Sequence, residues 1–140
     1  MIRKIGHNGR TLAIVFKKKD DTMIKEGLNF LTEPENSLQV GVIAHPQGHI
    51  VAPHVHTKTE KRIYDRQEML YVESGKMRVD FLTENGEKAD EEILEQGDLV
   101  LLIDGGHGME MLEENTRIIY VKQGPSLSKD ADKIVFGEGK

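Results

Sequence analysis

The chain reads as an all-β protein of about ten short strands, arranged as a sandwich or barrel. Two observations carry that expectation. Short runs of alternating apolar and β-branched residues follow one another along the chain, the pattern of strands with one buried face. Turn signals rich in Gly, Asn, Asp and Pro separate these runs at intervals of ~8–12 residues. No stretch sustains a convincing helical spacing.

The elements follow in order. Met1 to Ile5 is an apolar-basic alternation of the kind found in an edge strand, and His7-Asn8-Gly9 is a turn signal. Thr11 to Phe16 is β-branched and predicts a strand. Lys17 to Asp21 is a charged loop. Leu28 to Thr32 is the next strand, because Gly27 and Pro34 argue against a helix through Met23, Ile24, Leu28 and Leu31. Leu38, Val40, Val42 and Ala44 alternate with Gln39, Gly41, Ile43 and His45, a half-buried strand. His45 to Gly48 turns the chain into a strand carrying His54 and His56. Glu68 to Glu73 and Lys76 to Leu82 are expected to form a hairpin about Ser74-Gly75, and Asn85-Gly86 marks another turn. Gly97-Asp98 feeds the apolar run Leu99 to Ile103, a strand buried on both faces. Met109 to Glu113 and Arg117 to Lys122 form the last expected pair. The tail from Gly124 ends in an apolar patch, Ile134 to Phe136, that docks on the outside or on a partner subunit.

Composition narrows the function. One domain is the prior for 140 residues. A net charge of −5 argues against a nucleic-acid surface. Without cysteine there are neither disulfides nor thiolate metal sites. No N-terminal apolar leader and no run near membrane-spanning length is present, so a soluble cytoplasmic protein without membrane partners is the expectation.

The chemistry concentrates in two stretches. His54 and His56 are two residues apart, so on a strand both imidazoles share a face and can bind one metal ion through neutral ring nitrogens. Glu68 opens a strand on which Leu70 and Val72 share its face, and it can bring a carboxylate beside them. Farther on, Asp104-Gly105-Gly106-His107-Gly108 sets a third imidazole between glycines that permit tight backbone conformations.

At these residues the chain resembles the cupin superfamily. Gly48, five residues and His54-x-His56, then Glu68, six residues and Gly75, resemble the first cupin motif; Gly97 and His107 match the two ends of the second. Three departures stand out. The gap from His56 to Glu68 is longer than usual, Ile103 replaces the usual proline, and the second motif is one residue short before His107. Glu60 lies at the usual spacing from His56 and competes with Glu68. Glu68 is preferred for the strand character that follows it and for its distance to Gly75, and residues 57–66 then form an inserted loop at the pocket mouth. The resemblance implies a single jelly-roll barrel: a core over about 38–122, N-terminal strands within 1–37 and a C-terminal tail over 123–140. It also implies a metal shell of His54, His56, Glu68 and His107, suited to one divalent transition metal such as Fe, Mn, Ni, Cu or Zn rather than Ca or Mg.

Three functions are then open. The first is a metal-dependent cupin enzyme acting on a small polar, sugar- or acid-like molecule, of oxygenase or isomerase type. The second is a non-catalytic cupin that binds metal or a small molecule. The third is a metal-free cupin of the sugar-nucleotide isomerase or epimerase kind, in which His and Tyr do acid/base work. Tyr64, in the inserted loop, is the candidate catalytic acid, with Arg66 and Gln67 as candidate substrate contacts. The resemblance also implies a homodimer, through edge strands or through the Met1–Ile5 and Ile134–Phe136 segments.

Overall fold

The computed structural model describes residues 2–126 and 133–137. Among these residues ten strands are formed, with every pairing antiparallel: β1 (Ile2–His7), β2 (Arg10–Phe16), β3 (Gly27–Phe30), β4 (Gly41–Ala44), β5 (Glu68–Ser74), β6 (Lys76–Leu82), β7 (Lys88–Glu95), β8 (Leu99–Leu102), β9 (Gly106–Met111) and β10 (Arg117–Lys122). The one helical element among the described residues is a 3-10 segment, Lys18–Met23, where a charged loop is expected. No helix among them is long and apolar enough to cross a membrane.

The strands form a five-stranded sheet in the order β1-β2-β8-β5-β10, a three-stranded sheet β7-β6-β9, and the separate pair β3-β4. One core lies between the two larger sheets. Ile5, Leu12, Ala13, Val15, Leu70, Val72, Val100 and Leu102 come from the five-stranded sheet, and Met77, Val79, Phe81 and Leu94 from the three-stranded one. β8 is central and buried along most of its length, as its unbroken apolar run requires.

Two expected pairings do not form. β5 and β6 are not a hairpin: β5 pairs with β8 and β10, while β6 pairs with β7 and β9. Only Gly75 separates them, which is too short for a two-residue hairpin turn, so the chain steps from one sheet into the other at a positive φ of 79°. β9 and β10 are likewise divided between the sheets, with Asn115 at φ 58° in the connection. The physical reason is core geometry. Leu70 and Val72 of β5 must face Met77, Val79 and Phe81 of β6 across the core, and strands of one sheet cannot face each other. The β6–β7 hairpin about Asn85-Gly86 forms as expected.

The third difference concerns residues 45–66. The strand expected through His54 and His56 does not form; apart from the turn at Gln47-Gly48, the segment has no regular structure and every residue in it is exposed. The strand before it shortens to β4, which pairs with β3 alone. Alternation predicts which face a strand would bury, but a strand also needs a neighbour to complete its hydrogen bonds. Among the described residues no strand pairs with this segment. At the C-terminus the Phe136 ring lies against the β6–β7 turn, where a Cβ on Gly86 would come within 2.7 Å of it, while Ile134 and Val135 stay exposed.

Gly105 sets the approach to β9. Its φ is +67°, and an added Cβ would collide with the Leu82 carbonyl oxygen and lie 3.1 Å from Leu12 Cδ2. Gly105→Ala should lower the unfolding free energy in urea by roughly 2–3 kcal/mol. Gly9→Ala, at φ +77° but with nothing within 4 Å, should lose only ~1 kcal/mol. Equal losses would mean that contact with Leu82 does not matter.

Candidate functional site

Glu68 stands at the first position of β5, on the face that carries the buried Leu70 and Val72. A carboxylate survives there because the strand end lies at the mouth of the core, where the Glu68 side chain keeps 20% of its surface. His107 comes from the other sheet. It pairs in register with the buried Phe81, so its imidazole shares Phe81's inward face. The two meet with His107 Nε2 at 3.4 Å from Glu68 Oε2. Residues far apart in sequence are joined here because β5 and β9 lie on opposite sides of one core.

A third side chain completes the cluster. Tyr120 of β10 pairs in register with Leu70, and Lys122 with Glu68, which sets Tyr120 diagonal to Glu68 on the same inner face. Its hydroxyl donates to Glu68 Oε1 at 2.7 Å. Sequence reasoning missed Tyr120, although the signal was present: in Arg117–Lys122, period-two alternation groups Ile118, Tyr120 and Lys122 on one face.

The electrostatics follow from this packing. Burial holds the His107 imidazole below its ordinary value, opposed by the Glu68 carboxylate and reinforced by the Lys133 cation. A neutral ring with a free nitrogen lone pair is the form that binds a metal or accepts a proton near neutral pH. Tyr120 is pushed up to about 12, first by burial, then by its hydrogen bond to Glu68 and by that carboxylate's charge, with Arg66 working the other way. As a residue Tyr120 is half exposed, so solvent screening limits what this shift is worth in stability.

The other expected site residues lie elsewhere. His54 and His56 are on the exposed 45–66 segment, with ring centroids 5.0 Å apart and edge to face. His54 Nδ1 is 2.9 Å from the Ala52 carbonyl. A carbonyl only accepts, so Nδ1 is the donor in this contact and Nε2 is the nitrogen left to face outward, the orientation common in metal-binding histidines. Glu60 is in the same segment, 3.5 Å from Arg62, so of the two competing carboxylates only Glu68 faces His107. Tyr64 is 98% exposed and stands apart from the cluster. Gln67 is buried and structural: it accepts from Leu38 N at 3.1 Å and donates to Asp65 at 2.9 Å.

Among the described residues no group of three or more His, Asp or Glu gathers to hold a metal. Glu68 and His107 form a pair, and their spacing suits it to be half of such a group. Two donors bound at ~2.1 Å to one tetrahedral ion lie about 3.4 Å apart. Two surface hollows lie away from this cluster, one beside Arg10 and Asp104 and one beside Lys17 and Glu92. Both are seams of ion pairs, Arg10 with Glu84 and Asp104, and Lys17 with Glu92 and Asp98.

No protein-family model, curated protein or solved structure matches this chain.

The Tyr120 contact is directly measurable. Of the three tyrosines, one should ionise well after the others in an alkaline titration followed by tyrosinate absorbance. Tyr120→Phe should remove that late step. Glu68→Gln should bring it to lower pH without returning it to 10, because burial remains. Since the folded-state value is raised, the contribution to stability is complete below pH 10 and is lost as pH rises toward 12. Three tyrosines titrating together would remove Tyr120 from the cluster.

Proposed function

We propose that this chain is a cupin-type jelly-roll domain that binds one divalent transition metal and acts on a small polar molecule at the mouth of the core. The convergence of Glu68 and His107 from opposite sheets at 3.4 Å carries this reading. Further support comes from the order of the motif residues along the chain and from a neutral His107. The metal would be held by Glu68 and His107 together with His54 and His56, whose segment must come against β9 to contribute. Bound there, it would supply Lewis acidity toward the oxygen atoms of a substrate.

The chain's own residues have distinct tasks. Glu68 offers one oxygen toward His107 and takes the Tyr120 proton's hydrogen bond with the other. Tyr120 keeps its proton through the neutral range and replaces Tyr64 as the candidate acid, since its hydroxyl is at the cluster. Phe81, Leu70 and Val72 close the inner end of the site against water.

Elemental analysis of protein purified without chelator tests the reading. We expect about one transition metal per chain for wild type and for Glu60→Gln, and at least a ~10-fold loss of occupancy for Glu68→Gln and His107→Ala. Absence of metal after reconstitution would defeat it. The Tyr120–Glu68–His107 contacts favour, as the second reading, metal-free acid/base chemistry on a keto-sugar. In that case Tyr120→Phe would abolish turnover and added metal would not change it.

A further inference from the structure

The core is open along one side. β9 and β10 are edge strands of the two sheets, and among the described residues neither has a strand on its outer side. Register fixes which of their residues face inward: Met109 opposite Val79, Met111 opposite Met77, and Tyr120 opposite Leu70. Their partners are 0%, 0% and 2% exposed, yet Met109, Met111 and Tyr120 are 42%, 46% and 50% exposed. Inward-facing residues stay wet only where a covering strand is missing.

The 45–66 segment has the opposite defect. It carries Ile50, Val51 and Val55 at 83%, 59% and 93% exposure, so these three apolar side chains are left largely uncovered. From 50 to 64 its hydrogen bonds, ion pair and ring contacts are local ones. Its two legs are clasped at the base, Ser37 Oγ to Asp65 at 2.8 Å and Leu38 N to the Gln67 side chain, which fixes where it leaves the body. The adjoining β3–β4 pair also stands apart, with Leu28, Phe30 and Ile43 more than half exposed.

Surface area shows how much is uncovered. A compact monomer of 15.8 kDa exposes about 7,300 Å². This chain exposes 10465 Å², an excess of about 3,000 Å² over that expectation, to which the exposed tail residues Ile134 and Val135 contribute as well as the arm. Interwoven obligate interfaces remove on the order of 1,000–2,500 Å² from each partner.

We propose that two copies of this chain exchange their 45–66 arms, each arm adding a strand to the β9 edge of the other copy. The arm of one copy covers the inner-face methionines of its partner, and its His54 and His56 join the partner's Glu68–His107 pair. Each site is then built from two chains, and a lone protomer has only half of it. This last point rests on the metal reading above; the exchange itself does not.

The cysteine-free sequence provides a metal-independent test. On a strand whose histidines point inward, Val55 points outward, as Glu110 does on β9. The double variant Val55→Cys/Glu110→Cys, treated with a short bis-maleimide, should give covalent dimers linked between 55 of one chain and 110 of the other by peptide mapping. Either single variant should give none. Links confined within one chain, or a wild-type monomer by light scattering at micromolar concentration, overturn the exchange. The shared site has its own test. His54→Ala/His56→Ala chains and Glu68→Gln/His107→Ala chains should each bind no metal, and co-refolding the two should restore binding to the hybrid dimers. If wild type binds metal and the hybrids do not, the site is built within one chain. If wild type binds none, the metal reading falls while the cross-link result still decides the exchange.

Discussion

Everything in this fold depends on burying the inner faces of two small sheets against each other. Leu70, Val72, Val100 and Leu102 on one side and Met77, Val79, Phe81 and Leu94 on the other make one core. No single strand has enough apolar surface to be stable alone. From β5 to β10 the chain therefore crosses between the sheets repeatedly, and β6–β7 is the one hairpin kept within a sheet. Gly75 allows the tightest of these crossings: it sits at φ 79° with Thr116 packed so closely that a Cβ would not fit.

The same crossings create the candidate site. β5 and β9 approach from opposite sheets, so a carboxylate at the start of one and an imidazole near the start of the other meet at the mouth of the core. β10 lies next to β5 and adds a phenol to the carboxylate. Apolar strands beneath the site raise the cost of charge there. That cost favours the neutral imidazole of His107 and the protonated phenol of Tyr120.

The wet methionines of β9, the surplus surface and the exposed 45–66 arm describe one deficit from three sides. A sheet edge leaves backbone donors and acceptors unmet and invites another strand. Here the segment with the matching alternation is exposed along its whole length. The proposed exchange between copies would satisfy the edge and the arm at once.

The sequence by itself determined the all-β class and the positions of most strands, and it singled out Glu68 and His107, which the fold brings to 3.4 Å of each other. Period-two alternation, β-branched runs and glycine turns are local signals, and each acts within a few residues. The buried run at β8 and the Asn85-Gly86 hairpin were legible for the same reason. Only the tertiary structure decided which strands pair, because β5–β6 and β9–β10 read as hairpins locally and are separated by the demand that their apolar faces meet across a core. Tyr120 became part of the site through cross-strand register with Leu70, which no single stretch of sequence encodes. His54 and His56 mark the limit most clearly: alternation gave them a shared face, but a strand exists only where a neighbouring edge completes its hydrogen bonds, and among the described residues none is paired with 45–66.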